Sequence, residues 1–106
     1  VIRAVIGPGI GFDSFQVGEE VALVFKESGF PVDRIWAFRG ARAENSMEGG
    51  HHIDLKECVR ISLVDCGVTA DNIQVSDIDT YIDDRFYSAR REGPQTGRNI
   101  NAVKMV

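Results

Sequence analysis

Hydrophobic positions fall along this chain in short patterned runs separated by Gly, Pro and Asp. The first, Val1-Ile2-Arg3-Ala4-Val5-Ile6, is rich in β-branched residues and stops at Gly7-Pro8-Gly9, which predicts a buried strand entering a tight turn. After Asp13-Ser14, which can cap a helix, Val17, Val21, Val24 and Phe25 recur at helical spacing. That recurrence predicts a surface helix with one apolar face packed on a sheet. Glu19 and Glu20 fall in its early turns and Lys26 near its end, complementing the helix dipole, and Gly29 with Pro31 stop it.

Asp33 opens a short turn leading to Ile35-Trp36-Ala37-Phe38, a strand or packed connection. From Arg39 to Gly50 periodicity disappears, which predicts a mobile, protease-sensitive loop. His51 and His52 then precede Asp54, a good helix cap, and Leu55, Cys58, Val59, Leu63 and Cys66 follow at helical spacing with Ser62 on the same face. Gly67 ends that helix. Asp71-Asn72 turns the chain into a strand at Ile73-Gln74-Val75, and the alternation from Asn99 to Val106 predicts a terminal strand joining the sheet. Together these elements predict an α/β or α+β fold, a mixed β-sheet with helices layered on it, over one unit spanning residues 1–106.

Composition narrows the partners. With 106 residues, 43% hydrophobic and 26% charged, the chain suits one core and not two. Lys+Arg of 12 against Asp+Glu of 16 gives a net charge of -4, without the basic stripe a nucleic-acid surface needs. No run approaches the roughly 18 apolar residues of a membrane span, and no secretory leader opens the chain, so a cytoplasmic setting is expected. The absent initiator methionine and the immediate strand-like run point to a piece of something longer.

Candidate chemistry concentrates in Phe86-Tyr87-Ser88-Ala89-Arg90-Arg91-Glu92-Gly93-Pro94-Gln95-Thr96-Gly97-Arg98. Arginines held in turns beside an aromatic platform make an anion site, for which Ser88, Arg90, Arg91 and Arg98 are the candidate substrate-binding residues. The alternative is that Phe86 and Tyr87 plug a core while the arginines pair with the surplus of carboxylates. Elsewhere the signals fall short. Gly7-Pro8-Gly9-Ile10-Gly11 lacks the spacing of a dinucleotide loop and the Gly-Lys-Ser/Thr of a Walker loop. Asp77, Asp79, Tyr81 and Asp83 alternate like a calcium loop, but Ile82 stands where Gly is required and Ser88 where a bidentate Glu would close it. His51, His52, Cys58 and Cys66 have no zinc spacing. The two thiols, on the order of 12 Å apart along one helix, are beyond disulfide reach and are expected as reduced, buried packing groups.

In order along nearly the whole chain, a set of motifs resembles the C-terminal part of the laccase-domain family. They are Ile6-Gly7-Pro8-x-Ile10, Phe15-x-Val17-Gly18-x-Glu20-Val21, His52-Ile53-Asp54-Leu55 opening a helix that ends at Gly67-Val68, and Asn72-Ile73-x-Val75. Thr80-Tyr81, Phe86-Tyr87-Ser88-x-Arg90-Arg91 and Thr96-Gly97-Arg98 complete the set. Two positions depart: Asp79 stands where the family usually has Cys, and Gln16 where it has Glu. The family's metal-binding trio, a His from Val-His-Gly, a Cys from Ala-Asp-Cys and a His from His-Ala-Gly-Trp, lies upstream of the Gly-Pro motif. None of the three is present here, and Val64-Asp65-Cys66 sits on the wrong side of Gly7-Pro8 to supply the second.

The resemblance implies a zinc-dependent purine nucleoside phosphorylase with adenosine deaminase activity, acting on purine nucleoside and phosphate. Its zinc would be held by polypeptide preceding this chain, and the isolated 106 residues would be inactive, with no catalytic or metal-ligating residue of their own. The alternatives are a non-catalytic structural half of that domain and, from the older description of the family, polyphenol oxidase (laccase) activity with copper. The missing N-terminal part of the domain is the expected partner. An exposed sheet edge would also permit a homo-oligomer.

Overall fold

In chain order the elements are β1 (Ala4–Ile6), β2 (Gln16–Val17), α1 (Glu19–Glu27), α2 (Val32–Ile35), β3 (Trp36–Arg39), β4 (Gly50–Ile53), α3 (Leu55–Asp65), a 3-10 turn (Ala70–Asn72), β5 (Ile73–Val75) and α4 (Ala89–Glu92). The computed structural model describes residues 2–39, 50–93, 95–97 and 99, with only the main chain of Arg39. The body of the expected loop, 40–49, and nearly all of the expected terminal strand, 100–106, lie outside the described residues.

The α/β expectation holds, with helices packed on strands of both orientations. Among the described residues the strands form two sheets. β1 and β5 pair in parallel, Ala4 opposite Ile73 and Ile6 opposite Val75, and Gly9 adds a further parallel contact to Asp79. β2, β4 and β3 form an antiparallel sheet with β4 in the middle.

The antiparallel register sorts side chains onto two faces, because successive residues of a strand point opposite ways. Val17, His51, Phe38, Trp36 and Ile53 share one face, and Gln16, His52 and Ala37 share the other. The first face carries the core. Ala22 of α1, Ile35 of α2, Ile53 of β4 and Cys58 of α3 are its buried centre, and Phe15, Val17, Phe25, Phe30, Trp36, Leu55 and Ile61 pack around them.

Local chemistry sets the boundaries of α3 as expected. Asp54 caps its start, its Oδ1 accepting the Glu57 N–H at 3.1 Å, and Gly67 follows its end at a φ of 105° that a side chain would strain. Three expectations need correction. The first helix begins at Glu19 under a Gly18 cap rather than at Asp13-Ser14, because Val17 is drawn into β2 opposite His51. Ala22 is buried in the core, and of the expected stripe Val17, Val21, Val24 and Phe25 only Val17 and Phe25 pack against it, while Val21 is 38% and Val24 59% exposed. His51 and His52 are mid-sheet residues of β4, and Arg39 and Gly50, expected in a loop, are the last paired rung of the β3–β4 ladder. Cys66 is exposed beyond the end of α3, where only Cys58 turns inward.

Candidate functional site

The run from Asp77 to Glu92 folds into turns closed by its own polar side chains, and Arg91 is the group that closes most of them. Its Nη1 donates to the carbonyls of Thr80 at 2.9 Å, Tyr81 at 3.1 Å and Asp83 at 3.2 Å. Its Nη2 donates to the Phe86 carbonyl at 2.6 Å and to the Glu92 carboxylate. A rigid fork with several N–H groups can serve carbonyls from both sides of a turn, as a single ammonium cannot. The Arg91 guanidinium beside Glu92, joined by the Thr96 hydroxyl, holds that carboxyl below the usual glutamate range.

Ser88 is buried and caps the four-residue α4, its Oγ accepting the Arg91 N–H at 3.3 Å. Of the aromatic pair at its N-terminal side, Phe86 is half-buried and Tyr87 is 53% exposed, so Tyr87 does not plug a core. Its main chain is tied on both sides to one amide: Tyr87 N–H donates to Asn99 Oδ1 at 3.1 Å, and Asn99 Nδ2 donates to the Tyr87 carbonyl at 2.8 Å.

Arg90 points the other way. Its Nη1 donates to the Gln16 carbonyl at 2.7 Å and its guanidinium carbon lies 5.1 Å from the centre of the Phe15 ring. One side chain thus joins the Phe15-Gln16-Val17-Gly18 segment to the Phe86–Arg91 segment. Among the described residues Arg90 makes no other hydrogen bond. The structure therefore brings Ser88, Arg90 and Arg91 together while turning the two guanidinium groups to different surroundings. Arg98 lies outside the described residues.

Beside these turns, Asp77, Ile78, Asp79, Ile82, Asp83 and Asp84 line an open depression of about 440 Å³. Its rim repels anions. Two of its carboxylates are already committed: Asp79 accepts from Ser14 Oγ and from Tyr81 N–H, and Asp83 accepts from the Arg85 side chain and N–H. The Arg85 guanidinium, then its N–H, lowers the Asp83 carboxyl to about 2.

The histidines and cysteines do not assemble into a metal cage. Trp36 Nε1 donates to His51 Nδ1 at 3.0 Å, and the edges of the Trp36 and Phe38 rings flank that imidazole. His52, fully buried, faces the opposite side of the sheet with Nδ1 3.0 Å from the Phe12 carbonyl. Because that oxygen can only accept, Nδ1 carries the proton, and the buried Nε2 has no hydrogen-bond partner. Burial, followed by the charges of Asp54 and Glu57, pushes the Cys58 thiol up to about 11, away from the thiolate that a metal needs. Among the described residues no group of three His, Cys, Asp or Glu could hold a metal ion. No helix among them is long and apolar enough to cross a membrane.

Sequence reasoning singled out the arginines but could not separate their roles, and it missed Lys56. The Lys56 Nζ donates to the carbonyls of Ser76 at 2.8 Å and Ile78 at 2.6 Å, tying α3 to the chain leaving β5. A lysine in the first turn of a helix that also carries Glu57 reads as a solvated charge, so no sequence signal marks it.

Comparison with known proteins agrees with these motifs. A family described as multi-copper polyphenol oxidoreductase laccase matches residues 1–106. A purine nucleoside phosphorylase of Bacteroides thetaiotaomicron is 42% identical over 103 residues, covering 96% of this chain and 36% of that protein. Adenosine deaminase RL5, from an unknown prokaryotic organism, is 37% identical over 103 residues, 96% of this chain and 37% of its own length. Purine nucleoside phosphorylase YlmD of Bacillus subtilis is 32% identical over 105 residues, 98% of this chain and 35% of its own. The chain thus spans about a third of the length of these relatives. No solved structure matches. From a match along its whole length, the chain belongs to the multi-copper polyphenol oxidoreductase laccase family.

Proposed function

We propose that these residues form one wall of a purine nucleoside phosphorylase site, with Arg90 turned toward the phosphate. Relatives bearing that name at 42% and 32% identity support the substrate class. The observation that carries the role of this chain is the division between its arginines. Arg91 spends its two terminal nitrogens on four carbonyls and Glu92, which makes it a positioning residue, while Arg90 rests on Phe15 with a single carbonyl partner.

In phosphorolysis a phosphate oxygen bonds to the anomeric carbon as the bond to the base nitrogen breaks and the base leaves with the electron pair. Guanidinium donors held by an aromatic ring suit the nucleophile's oxygens, and their worth lies in holding it in line. Ser88 fixes where α4 starts and therefore where Arg90 projects. Zinc or copper finds no fitting ligand set among the described residues. The wall reading needs none from this chain.

The test is steady-state kinetics on the protein produced at its full encoded length. Arg90→Ala raises the KM for phosphate about tenfold or more and leaves the nucleoside KM near its parent value, as for a lost charge-assisted contact. Unchanged phosphate dependence in folded Arg90→Ala and Arg98→Ala proteins removes the assignment.

A further inference from the structure

We propose that His52 is a positioning residue for Arg90, acting through the segment 12–17 that lies between them. The inference rests on the phosphate reading of Arg90 and adds to it a residue that does not itself touch phosphate.

The register fixes how β2 is held. Ile53 N–H donates to the Phe15 carbonyl at 3.2 Å, so the main-chain oxygen of Phe15 faces β4. That side alternates from residue to residue in a strand, and Gln16, paired with His52, therefore turns its carbonyl away from β4. Arg90 Nη1 takes that carbonyl at 2.7 Å, and its guanidinium lies against the Phe15 ring. Both contacts belong to residues whose place is set by β4.

The side-chain tie is His52. It is fully buried, and its Nδ1–H donates to the Phe12 carbonyl at 3.0 Å, three residues ahead of Phe15. Around that point the Gly11 carbonyl accepts the N–H groups of Ser14 at 3.1 Å and Phe15 at 3.0 Å, which closes the chain into one turn. A closed turn moves as a unit, so releasing its Phe12 end displaces the Phe15 ring and the Gln16 carbonyl on which Arg90 rests. A displacement on the order of 1 Å is enough to weaken the holding of a nucleophile in line.

His52 uses one atom for this. Its buried Nε2 has no hydrogen-bond partner among the described residues, so the polar contact of the ring is the one at Nδ1. An asparagine amide nitrogen can stand where Nδ1 does, whereas that of glutamine reaches the place of Nε2.

The experiment is steady-state phosphorolysis kinetics on the full-length protein and its His52→Asn, His52→Gln, Arg90→Ala and combined His52→Gln, Arg90→Ala variants. His52→Asn keeps the phosphate KM near the parent value. His52→Gln raises it about two- to tenfold, the range for one hydrogen bond, at an unchanged nucleoside KM. Added to Arg90→Ala, His52→Gln raises it no further, because the guanidinium it positions is gone. A folded His52→Gln protein with the parent phosphate KM, an equal rise in both KM values, an Asn variant as impaired as the Gln one, or a full additional effect on top of Arg90→Ala overturns the proposal. If Arg90→Ala itself leaves phosphate dependence unchanged, the phosphate reading fails and this role falls with it. A response to Arg90→Ala without one to His52→Gln overturns this inference alone. Should His52→Gln not fold, the NMR signal of the His52 Nδ1–H decides. A shift on adding inorganic phosphate to the parent and none in Arg90→Ala supports the proposal, and no shift in the parent, or the same shift in both, overturns it.

Discussion

Ser14 Oγ donates to Asp79 Oδ2 at 2.5 Å, joining two turns that are 65 positions apart in the chain. The other oxygen of that carboxylate accepts the Tyr81 N–H at 2.9 Å, and a Cβ at Gly11 would stand 2.6 Å from Oδ2. Three small groups, the Ser14 hydroxyl, the Tyr81 amide and the bare Gly11, therefore surround one carboxylate. Ser14→Ala is expected to cost about 1.5–3 kcal/mol, the range for a hydrogen bond to a charged group. Asp79→Ala costs at least as much, because Ser14 is itself buried and loses its partner. Denaturant melts of the full-length protein check both values.

Arg91→Lys is predicted to behave almost as badly as Arg91→Ala. A lysine cannot reach the Thr80, Tyr81, Asp83 and Phe86 carbonyls together, so both variants lose about 3 kcal/mol or more in denaturation. Arg90→Ala, at an exposed position with one carbonyl contact, changes stability by less than about 1 kcal/mol. Equal losses at the two positions would contradict the division of roles.

Glu57 ties α3 to α2 and to its own next turn. Arg60 first, and then Arg34, hold its carboxyl below the ordinary value of 4.5 against the opposing effect of burial. A group whose value is depressed in the folded state contributes stability above its unfolded value and loses it as pH falls through the folded one. The melting temperature should decline as pH drops below about 4.5. Glu57→Gln should be less stable at neutral pH and show a shallower acid limb in the same pH series.

The two thiols are expected to separate by reactivity. At mild alkaline pH a disulfide reagent labels Cys66 and spares native Cys58, whose thiol sits at about 11. Because Cys58 is raised from 9.0 on folding, the unfolded chain gives up that proton first, and stability falls as pH climbs from about 9 toward 11. Cys58→Ala removes that alkaline slope while Cys66→Ser leaves it, as read from thermal melts across the range.

The parts of the fold visible in the sequence were those fixed by local chemistry. Asp54 and Gly67 bound α3 because a cap and a left-handed residue act within a few positions of themselves, and β1 and β5 follow from runs of β-branched residues. What stayed hidden depended on distant partners. Gly50 reads as the end of a loop and His51-His52 only as residues preceding a capped helix, and Gly50–Ile53 becomes a central strand only because β2 and β3 come to either side of it. The helical stripe of Val21 and Val24 misled for a related reason: amphipathic spacing gives a face, but Val17 in β2 sets which face the core meets. In the candidate site the arginine cluster was legible as charge. Which guanidinium is locked by carbonyls and which is left facing outward is decided by turns closing over Thr80 to Phe86.

The Trp36 indole has a consequence for His51 that reaches past packing. By handing its N–H to Nδ1, it obliges the neutral imidazole to keep its own hydrogen on Nε2, so this ring meets its surroundings as a donor. Replacing the indole with phenylalanine would free His51 to invert that polarity while its ring kept its edge contact with Phe38. A residue at the base of the hairpin thereby governs what kind of atom the half-buried imidazole can greet.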